Sequence, residues 1–146
     1  MTALVLASRS AARSRMMAAA GLSFSTASAD IDERQRELEL PVGERTPERI
    51  ASFLASAKAR AVSAQFPDAV VVGADQTLDL AGESFVKPET LDEARAQLQR
   101  LRGRSHVLHS SVACVQGGEV AWEWVDAARL TMRVFSDAFL DDYLAV

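Results

Sequence analysis

An aspartate and a glutamine follow the most strongly β-branched stretch of the chain. Val70, Val71 and Val72 favour a buried strand, and Asp75 and Gln76 come where that strand is expected to end. A carboxylate there is costly unless it is solvated, paired or bound to a metal ion, although it could instead cap a turn. Ligands of α/β sheets bind beyond the carboxyl ends of strands. We therefore predict that Asp75 holds a divalent cation or activates a water molecule.

Two lysines occupy positions that are unusual for a solvated side chain. Lys58 falls on the apolar stripe of a predicted helix, one turn from Leu54 and one turn from Val62. Lys87 precedes Pro88, which restrains its backbone to extended geometry and aims its side chain. Either ammonium could simply reach water past its neighbours. The alternative is that both lysines border a cleft and bind phosphate.

Three arginines crowd the start of the first predicted helix. Arg9, Arg13 and Arg15 lie near the positive end of the helix dipole, where each cation is unfavourable by about 0.3 to 1 kcal/mol. An anion bound by the free N–H groups, with Ser10 and Arg13 closing on it, would reverse that sign. The arginines could also point into water, and the residues alone leave both interpretations open.

Glu33 is a second candidate oxygen ligand. It lies in the charged, aperiodic segment 29–45, which is expected to be a loop, where most carboxylates are solvated. Divalent cations such as Mg²⁺ prefer oxygen ligands. Carboxylates can hold such a cation while lysines and an arginine bind phosphate, so this combination is typical of sites that act on phosphate esters.

Other reactive residue types do not form a recognisable site. His106 and His109 are separated by an odd number of positions in a predicted strand, so they point to opposite faces and cannot share a metal. Cys114 is predicted to be a small core residue. Trp122 and Trp124 share one strand face, where they could stack on a ligand, but core or interface packing is favoured.

The periodicity predicts the order β, α, β, α, β, β, α, β, β, α. The first helix is predicted over 10–21, the second begins at Thr46, the third spans 90–103 and the last begins at Ser136. Hairpins are predicted at Ala81-Gly82 and at Gly117-Gly118. Crossover units combined with hairpins indicate an α/β fold with a mixed, twisted sheet flanked by helices around a central cleft. The 146 residues suffice for one domain, predicted over 1–146.

Composition excludes several classes of partner. The net charge of -4 argues against a surface that binds duplex nucleic acid, and no apolar run reaches membrane-spanning length. The N-terminal stretch lacks the basic region of a signal peptide, so a cytoplasmic protein is expected.

Six segments together resemble the Maf family of nucleoside triphosphate pyrophosphatases, whose fold is Maf/ITPase-like. The similarity runs from residue 4 to about residue 145 with order and spacing preserved. The segments that carry it are LVLASRSAARSRMMAAAGLSF, DIDE, SAKARAV, VVVGADQTL, VKPET and LRGRSHVLHSSVAC.

The resemblance implies an enzyme that hydrolyses the bond between the α- and β-phosphates, with Mg²⁺ or Mn²⁺ as cofactor. Its partners would be a nucleoside triphosphate and, in a homodimer, a second copy of the chain. Carried over position by position, it assigns phosphate contacts to Ser10 and Arg13, the metal and the water to Glu33 and Asp75, and the triphosphate to Lys58 and Lys87.

Gln76 points to one branch of the family. The branch that acts on dTTP and UTP typically has threonine there, whereas the Asp75-Gln76 pair is similar to the branch associated with 7-methyl-GTP. An amide offers both a donor and an acceptor to a base or ribose.

The sequence departs from the family pattern in three places, of which the two alanines and the missing C-terminal segment leave a rival function open. Ala11 and Ala12 replace a proline and an arginine, Val86 replaces a glycine, and relatives continue with a C-terminal segment, so this chain is expected to be C-terminally incomplete. The rival is a non-catalytic nucleotide-binding regulator of cell division.

Overall fold

A computed structural model, which describes residues 1–146, contains one six-stranded mixed sheet with helices against it. The strands are β1 (Leu4–Leu6), β2 (Ser25–Thr26), β3 (Val70–Leu80), β4 (Glu83–Phe85), β5 (Ser105–Gln116) and β6 (Glu119–Thr131). The α-helices are α1 (Ala11–Ala19), α2 (Glu33–Glu37), α3 (Pro47–Ser63), α4 (Leu91–Leu101) and α5 (Asp137–Leu144), and a 3₁₀ turn spans Val42–Glu44.

The sheet combines a parallel part with an antiparallel part. Its order is β2-β1-β3-β5-β6, and β4 pairs with the far end of β3. β1 runs parallel to both β2 and β3, whereas β3, β5 and β6 are antiparallel neighbours. The predicted mixed sheet flanked by helices is therefore confirmed.

Side-chain caps start the predicted helices where the sequence placed them. The hydroxyls of Ser10, Thr46, Thr90 and Ser136 each accept a hydrogen bond from the backbone N–H three residues later. Gly21 and Gly103 follow α1 and α4 with positive φ, as helix-ending glycines do. No helix combines the length and the apolar character that crossing a bilayer requires.

The prediction that the strand before Asp75 ends there is wrong. β3 continues through Asp75 to Leu80, because β5 pairs with it in unbroken register from Val71 to Asp79. The strand that does end is β1, whose pairing with β3 stops at Val72. Asp75 therefore lies just beyond the carboxyl end of the parallel part of the sheet, inside a longer antiparallel strand.

The turn after β3 has the predicted position. Ala81 and Gly82 have φ of 52° and 89°, so both central residues adopt the left-handed conformation that a two-residue hairpin with the twist of its strands requires. Asp79 accepts a hydrogen bond from the Gly82 N–H at 2.7 Å and holds the turn.

The core lies between α3 and one face of the sheet. Val71 of β3 and Val115 of β5 pack with Ala59 and Val62 of α3, and all four side chains are fully buried. Gly73 lets the two backbones approach closely, because a β-carbon at that position would lie 2.1 Å from the Ala55 carbonyl oxygen. The helix is therefore held against β3 directly beside Asp75.

The opposite face of the sheet is less covered than the apolar pattern predicts. Cys114 is partly exposed, so the prediction that it is a core residue is wrong. Trp122 and Trp124 are exposed, which excludes core packing for them and leaves interface packing and ligand stacking as interpretations. The predicted apolar stripe of α4 is only partly covered, since Leu101 is buried, Ala94 and Leu98 are half-buried and Leu91 is exposed. α3, the most deeply buried helix, covers only the other face.

Replacing Gly73 with alanine is expected to lower the free energy of unfolding by about 2 kcal/mol, as overpacking of a close contact does. The new methyl group would collide with the backbone of Ala55 and with Ala59. Denaturant unfolding monitored by circular dichroism measures this change. Gly43→Ala is the matched control, since no atom lies within 4 Å of the added carbon. Equal stability of the two variants would contradict the close packing of α3 on β3.

Candidate active site

An ammonium group joins two carboxylates at the centre of the site. Lys58 Nζ lies 2.9 Å from Asp75 Oδ1 and 2.9 Å from Glu33 Oε1. The side chains of Lys58 and Asp75 are 12% and 11% exposed, so their ion pair is shielded from water, whereas Glu33 is 52% exposed. The structure thus brings together three residues that are far apart in the sequence.

Each of these side chains is positioned by a different element. α3 carries Lys58 over β3, and the Thr77 hydroxyl donates to the Pro47 carbonyl at 2.7 Å, which ties the strand to the start of that helix. The prediction that Glu33 lies in a loop is wrong, because Glu33 is the first residue of α2. Asp32 makes this helix possible because its carboxylate accepts a hydrogen bond from the Gln35 N–H at 3.1 Å.

The pKa of Asp75 is raised above its ordinary value. Burial is the largest cause, since it disfavours the charged form, and the negative charge of Glu33 acts in the same direction. The hydrogen bond and the charge of Lys58 oppose the rise, as does the charge of Arg13. One ammonium therefore only partly compensates a carboxylate that is withdrawn from water.

Glu37 is a site residue that the sequence analysis missed. Burial raises its pKa, and the charges of Asp75 and Glu33 raise it further. Glu37 lies one helical turn after Glu33, on the same side of α2. Treating 29–45 as an aperiodic loop hid this spacing, which a predicted helix would have revealed.

The start of α1 offers a second kind of binding group. Ser10 caps the helix by accepting from the Arg13 N–H at 3.3 Å, and the Arg13 guanidinium donates to the Ser8 hydroxyl at 3.3 Å. The first turn contains no acidic residue that would neutralise the helix dipole. Free N–H groups and a guanidinium at this place favour an anion.

Adjoining cavities join the start of α1 to the ion pair. One cavity, of about 570 Å³, is lined by four cationic residues and two acidic ones, which are Arg9, Arg13, Lys58, Lys87, Asp30 and Glu33. A second, of about 540 Å³, includes Glu33, Lys87, Asp75, Gln76 and Glu37. All seven residues predicted from the sequence, namely Ser10, Arg13, Glu33, Lys58, Asp75, Gln76 and Lys87, line one or both of these cavities.

Lys87 and Gln76 remain available to a ligand. Lys87 forms no ion pair within the chain. Gln76 accepts a hydrogen bond from the Ser110 hydroxyl at 3.0 Å through its carbonyl oxygen, which leaves its amide N–H₂ group free to donate. Val86 does not adopt a positive φ, so the replacement of the family's glycine introduces no backbone strain at this turn.

The carboxylate oxygens of the site suit a hard divalent cation for which water and substrate, and not the chain, supply most of the ligands. Asp75 and Glu33 share the one ammonium of Lys58, Glu37 adds a third carboxylate without an ion pair, and Asp75 Oδ2 has no protein partner. No group of three or more His, Cys, Asp or Glu side chains is arranged to hold a metal ion. Mg²⁺ typically uses one or two carboxylates together with water and substrate phosphates.

The fold and the cavity define an α/β protein with a cation-lined site, whose charges suit a polyphosphate, at the carboxyl end of the parallel strands. The fold resembles that of a HAM1 protein from Coxiella burnetii, with a TM-score of 0.50 and 16% identity over 88% of this chain and 71% of that chain.

Residues 3–146 match the model of the family described as Maf-like protein, and the chain belongs to this family. It is 48% identical over 141 residues to the 7-methyl-GTP pyrophosphatase of Brucella abortus, and the aligned region covers 97% of this chain and 71% of the relative. It is 46% identical over 140 residues to the nucleoside triphosphate pyrophosphatase of Paramagnetospirillum magneticum, and the aligned region covers 96% of this chain and 72% of the relative.

Replacing Asp75 with asparagine is expected to make the protein relatively more stable as the pH rises. Because the folded-state pKa of Asp75 is raised, the unfolded chain ionises first, and the wild type loses stability from about pH 4 up through that raised pKa. Asparagine cannot ionise and avoids this loss. The melting temperatures of both proteins, measured with a chelator over about pH 4 to 8, give the difference.

The matched control for this measurement is Asp142→Asn, because Asp142 is exposed and forms no ion pair. Its melting temperature should follow the wild type at every pH. A stability of Asp75→Asn that falls relative to that of the wild type as the pH rises would show that ionised Asp75 stabilises the fold.

Proposed function

We propose that this protein is a nucleoside triphosphate pyrophosphatase that hydrolyses the bond between the α- and β-phosphates. The observation that carries the proposal is the pair of adjoining cavities, in which Arg13, Lys58 and Lys87 line one and Asp75 lines the other, with Glu33 and Lys87 shared by both. A polyphosphate requires several cations, and its hydrolysis requires a group that accepts a proton from water. Relatives named 7-methyl-GTP pyrophosphatase and nucleoside triphosphate pyrophosphatase support the same reaction.

In this mechanism Asp75 accepts the proton of the attacking water. The water oxygen bonds to the α-phosphorus, the bond from that phosphorus to the bridging oxygen breaks, and pyrophosphate leaves. A raised pKa suits Asp75 to this role, because a general base is most effective when its pKa lies near the working pH. Lys58 holds the carboxylate in place through its bond to Oδ1, which leaves Oδ2 for the water.

The cations of the site bind and orient the triphosphate. Arg13 and the free N–H groups of α1 suit one phosphate group, and Lys87, which lines the same cavity, suits another. Lys58 carries positive charge toward the reacting bond while it remains paired with Asp75. Such chemistry depends mainly on positioning and charge neutralisation.

A divalent cation, Mg²⁺ or Mn²⁺, completes the proposed site. Asp75 and Glu33 would hold it, and Glu37 lies close enough to add negative charge. When bound, the ion would neutralise phosphate oxygens and polarise the bond that breaks.

The proposed substrate is a modified nucleotide, with 7-methyl-GTP favoured. Gln76 presents a free amide at the edge of the cavity, as the residue pattern of that branch implies, and several relatives carry the name 7-methyl-GTP pyrophosphatase. The alternatives are dTTP and UTP. A nucleotide-binding regulator without catalysis is the rival from another class, since Ala11 and Ala12 remove one family arginine.

Asp75→Asn is expected to lower kcat by at least about a hundredfold, because the amide cannot accept the proton. Release of pyrophosphate from 7-methyl-GTP with Mg²⁺ measures it, and circular dichroism checks the fold. Asp142→Asn should retain full turnover. Undiminished turnover in Asp75→Asn would exclude Asp75 as the base.

A panel of 7-methyl-GTP, dTTP, UTP and CTP, each with Mg²⁺ and with Mn²⁺, tests the reaction and the branch together. We expect the highest kcat/KM for 7-methyl-GTP and no pyrophosphate without metal. Faster hydrolysis of dTTP and UTP would select the other branch. Binding of these nucleotides without any pyrophosphate would favour the regulator.

A further inference from the structure

The face of the sheet opposite α3 carries an exposed apolar surface, here called the outer face. The register across β3, β5 and β6 arranges it in rows, because residues directly opposite one another point to the same side. Two apolar rows are Val72, Cys114 and Trp122, and Ala74, Val112 and Trp124, and a polar row of Gln76, Ser110 and Asp126 follows them.

The outer face is continuous with the proposed active site. A cavity of about 520 Å³ on this face is lined by Ala74, Val112 and Cys114, by Met16 and Met17 of α1, and also by Arg13, Asp75 and Gln76. Arg13 also lines the phosphate cavity, and Asp75 and Gln76 also line its neighbour. A ligand whose phosphates occupy the cationic cavities therefore meets this apolar surface next.

Two indole rings extend the same surface. Trp122 and Trp124 are 53% and 61% exposed, which is unusual for large apolar side chains that share one strand face. Strands lie about 4.8 Å apart, so Trp124 on β6 is only about 10 Å from Ala74 on β3. Trp124 is the nearer ring to the polar row, because Asp126 follows it on the same face.

The polar row supplies groups that can recognise the edge of a base. The Ser110 hydroxyl bonds to the Gln76 carbonyl, so the Gln76 amide is a free donor. Asp126 accepts one backbone hydrogen bond through Oδ1, and its Oδ2 is a free acceptor. Guanine presents N–H donors on one edge, which a carboxylate can accept. A base that is methylated at N7 is also a cation, and cations are attracted to the face of tryptophan.

We propose that the outer face is the nucleobase site of this protein, with the base stacked on Trp124 and its edge toward Asp126. This inference rests on the proposed function, since it takes the phosphates of the same nucleotide to lie in the cationic cavity. The ligand class is a purine nucleoside triphosphate whose base carries positive charge. Trp124 would then set specificity, and Asp75 and Lys58 would act on the phosphates.

Intrinsic fluorescence tests the stacking without any need for turnover. The chain has two tryptophans, so Trp122→Phe leaves Trp124 as the only indole, and Trp124→Phe leaves Trp122. We expect 7-methylguanosine to quench the fluorescence of Trp122→Phe and to leave that of Trp124→Phe unchanged, with guanosine quenching less. Equal quenching in both variants, or none in either, would overturn the proposal.

Kinetics gives the second measurement. Trp124→Ala is expected to raise KM for 7-methyl-GTP about tenfold, within the range for loss of one base–aromatic stack, and to leave kcat unchanged. Tyr143→Ala is the matched control, because Tyr143 is also 61% exposed but lies on α5 and lines neither the outer-face cavity nor the two cationic cavities. It should leave KM unchanged.

The two measurements separate this inference from the proposed function. Quenching of Trp124 by 7-methylguanosine in a protein that hydrolyses no triphosphate would keep the base site and overturn the pyrophosphatase. Normal hydrolysis of 7-methyl-GTP with an unchanged KM in Trp124→Ala would keep the enzyme and overturn the base site.

Discussion

The contact on which the site depends is the shielded ion pair between Lys58 and Asp75. A carboxylate on the face of β3 that packs against α3 is withdrawn from water, and only a nearby positive charge makes its ionised form tolerable there. Lys58 supplies that charge and extends it to Glu33 on α2. One side chain therefore links a strand and two helices, and it does so where the parallel part of the sheet ends.

The close packing of α3 on β3 makes this contact possible. Gly73 lies two residues before Asp75, on the same face of the strand, and its missing side chain allows the helix backbone to come within reach. Thr77, two residues after Asp75, bonds to the start of the same helix. The carboxylate is thus held between two points where helix and strand are fixed to one another, which keeps its distance to Lys58 short. A preorganised carboxylate needs little rearrangement when a charged ligand arrives.

The sheet separates two kinds of surface. On the side of α3 it carries the core and the acidic groups, whereas its outer face presents apolar side chains and two exposed indoles. The cationic residue Arg13 lies at the junction of these surfaces, since it lines both the phosphate cavity and the outer-face cavity. This division follows from the alternation of side chains along β3, where Val71, Gly73 and Asp75 point one way and Val72, Ala74 and Gln76 point the other. Neighbouring residues such as Asp75 and Gln76 can consequently serve different parts of one ligand.

Local chemistry in the sequence determined the helix starts, the hairpin turns and the order of the main elements, because capping hydroxyls, positive-φ glycines and apolar periods act over a few residues. It also singled out Asp75 and Lys58 as misplaced charges, since a charge on an apolar pattern is visible without coordinates, and Lys87 through the proline that follows it. Only the tertiary structure decided that β3 continues past Asp75, that Lys58 meets both Asp75 and Glu33, and that the tryptophans stay exposed. Each of these depends on contacts between distant segments, such as the pairing with β5, and no local pattern contains the distance between them.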